Sequence, residues 1–246
     1  MIDIHTHIVA SVDDGAESID ESVNIINTAL LCGTKGIVLT PHFNNKLFCK
    51  LRTKREVLEK INSFINNPKI KDCNIKFFTG AEIYCGDNDI FDLIKNDQLI
   101  TINDSRYVLI EFFISQSFDF IYDVISLLID KKYIPIIAHC ERYTCLLENV
   151  DRIITLKNLG CVIQVNSHSI LTKGDRRISS FVNFLMRNKL IDVVASDTHD
   201  LYERSPDLSE AHAQVCLRCS YDYAEDIFYS NPQLIIENKS ILRGIK

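Results

Sequence analysis

Short β-branched runs alternate along the chain with segments whose apolar positions recur every three to four residues. That alternation predicts parallel strands joined by helices. Seven runs read as strands: IDIH (2–5), GIVLT (36–40), IKFF (75–78), YVLIEF (107–112), IPIIA (134–138), CVIQV (161–165) and DVVAS (192–196). The first predicted helix opens with Ser18 and Glu21 in capping-box spacing, carries Ile19, Val23, Ile26 and Leu30 on one face, and ends at Gly33. Thr53 and Glu56 repeat the spacing ahead of Val57, Ile61 and Phe64. Further helices are expected over residues 119–132, 146–159, 176–189 and 208–217, and Asn231-Pro232 reads as the cap and first residue of a last short helix.

Composition narrows the class. A chain of 246 residues can bury one large core, so a single domain over 1–246 is expected. Hydrophobic residues at 46% and charged residues at 24% suit a soluble enzyme. No apolar run approaches the roughly 20 residues of a membrane span, and the opening MIDIHTH lacks the basic and apolar regions of a signal peptide. A cytoplasmic location, without membrane insertion, is therefore expected. Lys plus Arg at 27 against Asp plus Glu at 33 gives a net charge of −6, which repels polyanions and argues against nucleic acid as a partner. The nine cysteines, scattered through periodic apolar segments, fit reduced packing thiols better than a disulfide framework. The lone CLRC pair, Cys216 and Cys219, reads the same way.

The residues at the strand ends change the picture. His5 and His7 come after the first strand, His42 after the second, Glu82 after the third, and Glu111 ends the fourth. His139 comes after the fifth, Asn166 and His168 after the sixth, Asp197 and His199 after the seventh. In a barrel of parallel strands these ends converge on one face, where such folds build their active sites. Any one of these residues could instead cap a helix or pair with an arginine. Together they imply carboxylates and imidazoles crowded at the ends of apolar strands, a large desolvation cost that bound cations remove. A multi-metal site is therefore expected. Asp13-Asp14-Gly15 reads either as a turn with glycine at positive φ or as a source of one more carboxylate. The mixed donor set suits manganese, iron or zinc rather than calcium or magnesium alone.

The motifs MIDIHTHIVASVDDGAES, VLTPHF, TGAEIY, LIEF, HCERY and VVASDTHDLYER, in this order, resemble the PHP-superfamily tyrosine phosphatases of bacterial capsule and exopolysaccharide operons, the CpsB/CapC family. The resemblance implies an α/β fold, a distorted (β/α)7 barrel with its active site at the C-terminal strand ends, and three divalent metals, most often manganese. Position by position it implies His5, His7, Glu82 and Asp197 on one metal, Glu82, Glu111 and His139 on a second, and Asp14, His42 and His199 on a third. Arg142 and Arg204 correspond to phosphate-gripping arginines. Where the family usually has proline this chain has Cys140, and Phe43 departs from the common residue after the second-strand histidine; His168 and Asp200 fall in variable places.

The implied reaction is hydrolysis of phosphotyrosine by a metal-bridging hydroxide, on a partner such as the tail of a bacterial tyrosine kinase of polysaccharide synthesis; an oligomer is compatible with the sequence. The rim stretches 44–52 and 113–118, with Phe43, Phe48, Phe113 and Phe118, are expected either to shape peptide access or to close the barrel mouth. The alternatives are another PHP phosphoesterase, such as a histidinol phosphatase, and a non-catalytic metal-binding regulator of polysaccharide assembly. A cysteine phosphatase fits poorly. Its loop needs an arginine six positions after the nucleophile: counting from Cys140 that residue is Leu146, and the formal match at Cys49 and Arg55 has no glycine in the intervening KLRTK and no predicted strand before it.

Overall fold

The computed structural model describes residues 1–171 and 175–241. Its strands, all paired in parallel, are β1 (Ile2–Asp3), β2 (Gly36–Leu39), β3 (His42–Phe43), β4 (Lys76–Thr79), β5 (Glu82–Tyr84), β6 (Tyr107–Glu111), β7 (Ile134–Ile137), β8 (Val162–Asn166) and β9 (Val193–Ala195). Each of the seven expected runs yields a strand, and two runs continue past a break into a second short piece. One break falls at Thr40-Pro41, where proline has no N–H to give the ladder. The other falls at Gly80, where a Cβ would lie 2.9 Å from Val38 Cγ1, so only glycine lets the two lines approach.

The strand orders are β1-β2-β4 and β3-β5-β6-β7-β8-β9. Because β3 prolongs β2 and β5 prolongs β4, the two sets form one curled parallel sheet. Its far sides meet beyond β1 and β9: Thr6 bridges Thr198, His7 N–H donates to Thr198 O at 2.9 Å, and Asp197 N–H donates to His5 O at 3.0 Å. Those contacts carry the two histidines into the same place as Asp197.

Strand alternation divides the core. Leu109 belongs to an inner group with Ile4, Val38, Ile136, Val162 and Val193, while its neighbours Val108 and Ile110 pack outward against the helices. A sheet buried on both faces explains why the strands read as continuous apolar runs. Ile235 and Ile236, from the helix Asn231–Ile236, join the inner group.

The helices keep to the expected pattern with three corrections. Ser18 accepts from Glu21 N–H, but the Glu21 carboxylate reaches back to Glu17 N–H rather than to Ser18, so only Thr53 and Glu56 complete a reciprocal box. The segment expected as one helix over 146–159 is two, Thr144–Glu148 and Asp151–Asn158, separated at Asn149, whose backbone is extended. Asn231 caps nothing: it is itself helical, continuing the wide turn Asp226–Ser230, and its side chain donates to Asp192 O at 2.8 Å. The other long helices run Phe118–Asp130, Arg176–Arg187 and Ser209–Arg218. No helix among the described residues is long and apolar enough to cross a membrane.

Candidate metal centre

The C-terminal ends of the strands bring together residues up to nearly two hundred positions apart. His5, His7, Asp14, His42, Glu82, Glu111, His139, Asp197 and His199 fall into four overlapping groups, each with its candidate ligand atoms within 4.8 Å of one another. The groups are His7 with Asp14, His42 and His199; His5 with Glu82 and His139; His5 with His7 and Asp197; and His42 with Glu82 and Glu111. They share members with the three sets implied by the resemblance but divide them differently, since His5, His7, His42 and Glu82 each belong to two groups. Most of these side chains are almost wholly buried; Asp14 and Glu111 stand nearer the opening.

The backbone at two of these ends is unusual. His139 (φ +32°) and Asp197 (φ +56°) are both non-glycine residues in the left-handed region, a conformation held only where the surroundings demand it. Gly15 does not take a positive φ, contrary to the simple turn reading. Its role is steric, because a Cβ there would lie 1.9 Å from His7 O. Ala16 N–H also bonds to that oxygen.

A second layer fixes which ring nitrogen faces inward. His5 Nδ1 contacts Gln164 Oε1 at 3.1 Å, His7 Nδ1 contacts Asp13 Oδ2 at 2.8 Å, and His199 Nδ1 contacts the Asp197 carbonyl at 2.9 Å. Each acceptor holds the Nδ1 proton, leaving Nε2 as the inward donor atom. Gln164 also accepts from His139 N–H at 2.9 Å and donates to Asn166 Oδ1, and Asn166 in turn donates to Asp197 Oδ2. Asp13 additionally accepts from His42 N–H and Gly15 N–H. Asn45 donates to Glu111 Oε1 at 3.1 Å.

Sequence reasoning missed Gln164 and Asn45 and gave Asp13 no distinct part. Gln164 did leave a signal: it is the one strongly polar residue inside CVIQV, and it is fully buried.

The donor set fits cations. His5 Nε2 and His7 Nε2 are 3.1 Å apart, so with Nδ1 protons held outward the two inward lone pairs need either a shared proton or a cation between them. His42 Nδ1 and His199 Nε2 are buried without a well-directed hydrogen bond, although Glu82 Oε2 lies 3.1 Å from the first and Asp14 Oδ1 3.3 Å from the second. Donor atoms that converge at these distances suit a common cation.

Proton affinities agree. Burial works against charged His7 and His139, yet the carboxylates around them, Asp13 and Glu82 for the first and Glu111 and Glu82 for the second, lift both to about 9. His42 is likewise raised despite burial, by Asp14 and Glu82. Burial also opposes ionised Glu82 and Asp197, but the surrounding imidazoles, with Arg142 for Asp197, hold both carboxyls below the ordinary range. Protons bound this tightly mark places where a divalent cation would compete for the same lone pairs.

The cluster floors a cavity of about 370 Å³. Arg142 Nη2 lies 2.9 Å from Asp197 Oδ2, and Arg204 Nη2 lies 3.7 Å from Asp14 Oδ2; both guanidiniums keep about a third of their side-chain surface exposed to that cavity. A larger cavity, of about 710 Å³, lies beside the start of β9 around the Lys157–Asp192 pair and contains none of these donors.

Comparison with known proteins gives one consistent family. The family described as "Capsular polysaccharide synthesis, CpsB/CapC" matches residues 1–237. The tyrosine-protein phosphatase CpsB of Streptococcus agalactiae is 31% identical over 247 residues, covering 98% of this chain and all of that protein. A putative tyrosine-protein phosphatase CapC of Staphylococcus aureus is 32% identical, covering all of this chain and 94% of that one. Among solved structures, one described with YwqE from Bacillus subtilis and CpsB from Streptococcus pneumoniae as metal-dependent tyrosine phosphatases superposes with a TM-score of 0.87 at 28% identity, over 99% of this chain and 97% of that one.

Proposed function

The chain belongs to the CpsB/CapC family of capsular polysaccharide synthesis, and from that membership we propose that its strand-end cluster is the active site of a metal-dependent protein-tyrosine phosphatase. The observation that carries this reading is a cluster of nine candidate ligands, six of which line one cavity together with two partly exposed arginines. In the finer reading, the seven strand runs make a distorted (β/α)7 barrel and the donors hold three divalent ions, manganese first, with iron or zinc as alternatives. Those ions, when bound, would supply an activated water and neutralise phosphate charge.

The chain's own residues do the rest. Arg142 and Arg204 present planar guanidiniums that can grip the non-bridging oxygens of a phosphate. Asp197 holds Arg142 through its Oδ2, so the residue assigned to the floor also aims the clamp. Gln164 and Asp13 set the tautomers of His5 and His7 and so keep inward lone pairs available. The phenol of a phosphotyrosine leaves with a pKa of about 10, which asks less of a protein acid than a serine ester would. The substrate partner in this reading is a phosphotyrosine protein, a cytoplasmic kinase tail of polysaccharide synthesis.

Elemental analysis of the purified protein and turnover of a phosphotyrosine peptide in added Mn²⁺ test the proposal together. At least two metals per chain and chelator-sensitive release of phosphate are expected. Fewer than two metals at saturation, or no turnover, would overturn it.

A further inference from the structure

The cavity has a second wall that the phosphate chemistry leaves without a task. Besides the arginines, the cavity is lined by Leu47 and Phe48 from the loop after β3 and by Phe113 and Ile114 from the loop after β6. These side chains are 88%, 49%, 58% and 56% exposed. Four large apolar side chains clustered in solvent at one opening are uncommon on a soluble surface and mark a place where something docks.

The loops that carry them are anchored. Asn44 donates to Tyr84 O at 2.9 Å, tying the first loop to the end of β5. The Asn45 side chain is buried. Its Oδ1 accepts from Leu47 N–H and Phe48 N–H, and its Nδ2 reaches Glu111 on the cavity floor. Phe48 stacks on His42 with ring centroids 5.7 Å apart and planes 28° from parallel. On the other side, Ile114 O accepts from Thr144 N–H and Phe113 O from Gln116 N–H. The one cation in the first loop stretch before Phe48, Lys46, is paired with Asp89 outside the cavity lining. The cavity thus combines two guanidiniums with apolar groups on anchored loops.

We propose that this wall is a polypeptide-recognition surface. Phe48 and Phe113 hold the aryl ring of the phosphorylated residue, and Leu47 and Ile114, more exposed than Phe48, receive apolar side chains flanking it. The protein then selects phosphotyrosine segments with aliphatic or aromatic neighbours over segments with acidic ones. The phosphate goes to the arginines, and a flanking carboxylate lodged against Leu47 or Ile114 would be desolvated on hydrocarbon. The inference rests on the phosphatase reading of the same cavity but adds which sequences it takes.

The test is a set of kcat/KM ratios on the metal-loaded full chain. Two phosphotyrosine peptides, identical except for leucine or glutamate on both sides of the phosphotyrosine, are compared with each other and with 4-nitrophenyl phosphate. The apolar peptide should be preferred about tenfold, a typical discrimination for a partly buried aliphatic side chain. In the Leu47→Ser/Ile114→Ser variant that preference should fall to near unity, mainly through KM. Phe113→Ala should instead lower kcat/KM for both peptides together, while Phe113→Tyr restores it. If wild type hydrolyses the small aryl phosphate but treats the two peptides alike, or if the double variant keeps the preference, this inference is wrong and the phosphatase reading stands. If no aryl phosphate is hydrolysed, the phosphatase reading itself fails.

Discussion

Replacing Gln164 with leucine would test the second layer of the site without touching a candidate ligand. The side chain is fully buried, and leucine is close enough in size that no large cavity forms. Three polar contacts disappear: the acceptor for His139 N–H at 2.9 Å, the acceptor for His5 Nδ1 at 3.1 Å, and the donor to Asn166 Oδ1 at 2.8 Å. A buried donor left without its partner costs about 1–3 kcal/mol. The two orphaned donors therefore predict a loss of about 2–6 kcal/mol, a large part of the ~5–15 kcal/mol of a typical domain. His5 can escape part of that cost by moving its proton to Nε2, but the inward lone pair is then lost, and second-layer changes of this kind typically weaken metal binding about 10–100-fold. Gln164→Glu keeps both acceptors but sets a buried carboxylate oxygen against Asn166 Oδ1, so it should still lose stability while retaining the inward lone pair of His5 and more of the metal-linked rise in Tm. The assay is thermal unfolding of both variants with and without Mn²⁺, paired with a metal-binding isotherm on the folded fraction. A Gln164→Leu protein that binds Mn²⁺ as wild type does, with an undiminished metal-dependent rise in Tm, would refute the assignment of Gln164 as the tautomer-setting residue.

The same geometry makes further demands. Cys140 is fully buried and its thiol is pushed well above the ordinary value by desolvation, so Cys140→Ser and thiol alkylation should leave aryl phosphate hydrolysis within a few fold, whereas chelation should abolish it; the reverse result would restore a thiolate nucleophile. Gly15→Ala forces a methyl group to within 1.9 Å of His7 O and should cost about 1–3 kcal/mol in unfolding experiments through overpacking, with metal binding weakened more than by a surface alanine substitution. Arg142→Lys keeps the charge but not the two-pronged donor set, and should lower kcat/KM at least tenfold in steady-state kinetics; an unchanged value would remove Arg142 from the clamp. In the metal-free protein His7 and His139 have pKa values raised to about 9 from about 6.5, so the stability they contribute is fully present below pH 6.5 and lost as pH rises through 9. A chelated sample should therefore show a falling Tm over that window, and a flat profile would argue against the carboxylate–imidazole coupling.

The strand-end residues were legible because each breaks a local rule. His42, Glu82 or Asp197 at the end of an apolar run has no reason to be there in a sheet buried on both faces unless something compensates it. Parallel topology then does the gathering, so that position along a strand predicts proximity without any knowledge of register. The first long helix was readable from Ser18, which does cap it, although its fully buried face is Ser22, Ile25, Ile26 and Ala29, with Ile19, Val23 and Leu30 only partly buried beside it.

Grouping and orientation were not legible, because they depend on contacts whose partners are far apart in sequence. Nothing near His5 announces that Gln164 lies against its ring, 159 positions away, or that Asn45 ties the rim to Glu111. The broken strands show the same limit: Thr40-Pro41 marks one break by chemistry, while the Gly80 break arises from crowding against Val38 that only the paired sheet creates. Gln164 shows how far a sequence can still be pressed. A glutamine inside CVIQV cannot be left unpaired in a sheet buried on both faces, so a run ending beside candidate ligands and containing one such residue should be read as supplying the ligands' hydrogen-bond support. Applied to YVLIEF and IPIIA, that rule finds no equivalent before the strand ends. The support for Glu111 accordingly comes from Asn45 on another loop, and for His139 Gln164 holds only the backbone N–H while Tyr143 OH lies 3.5 Å from the ring Nδ1.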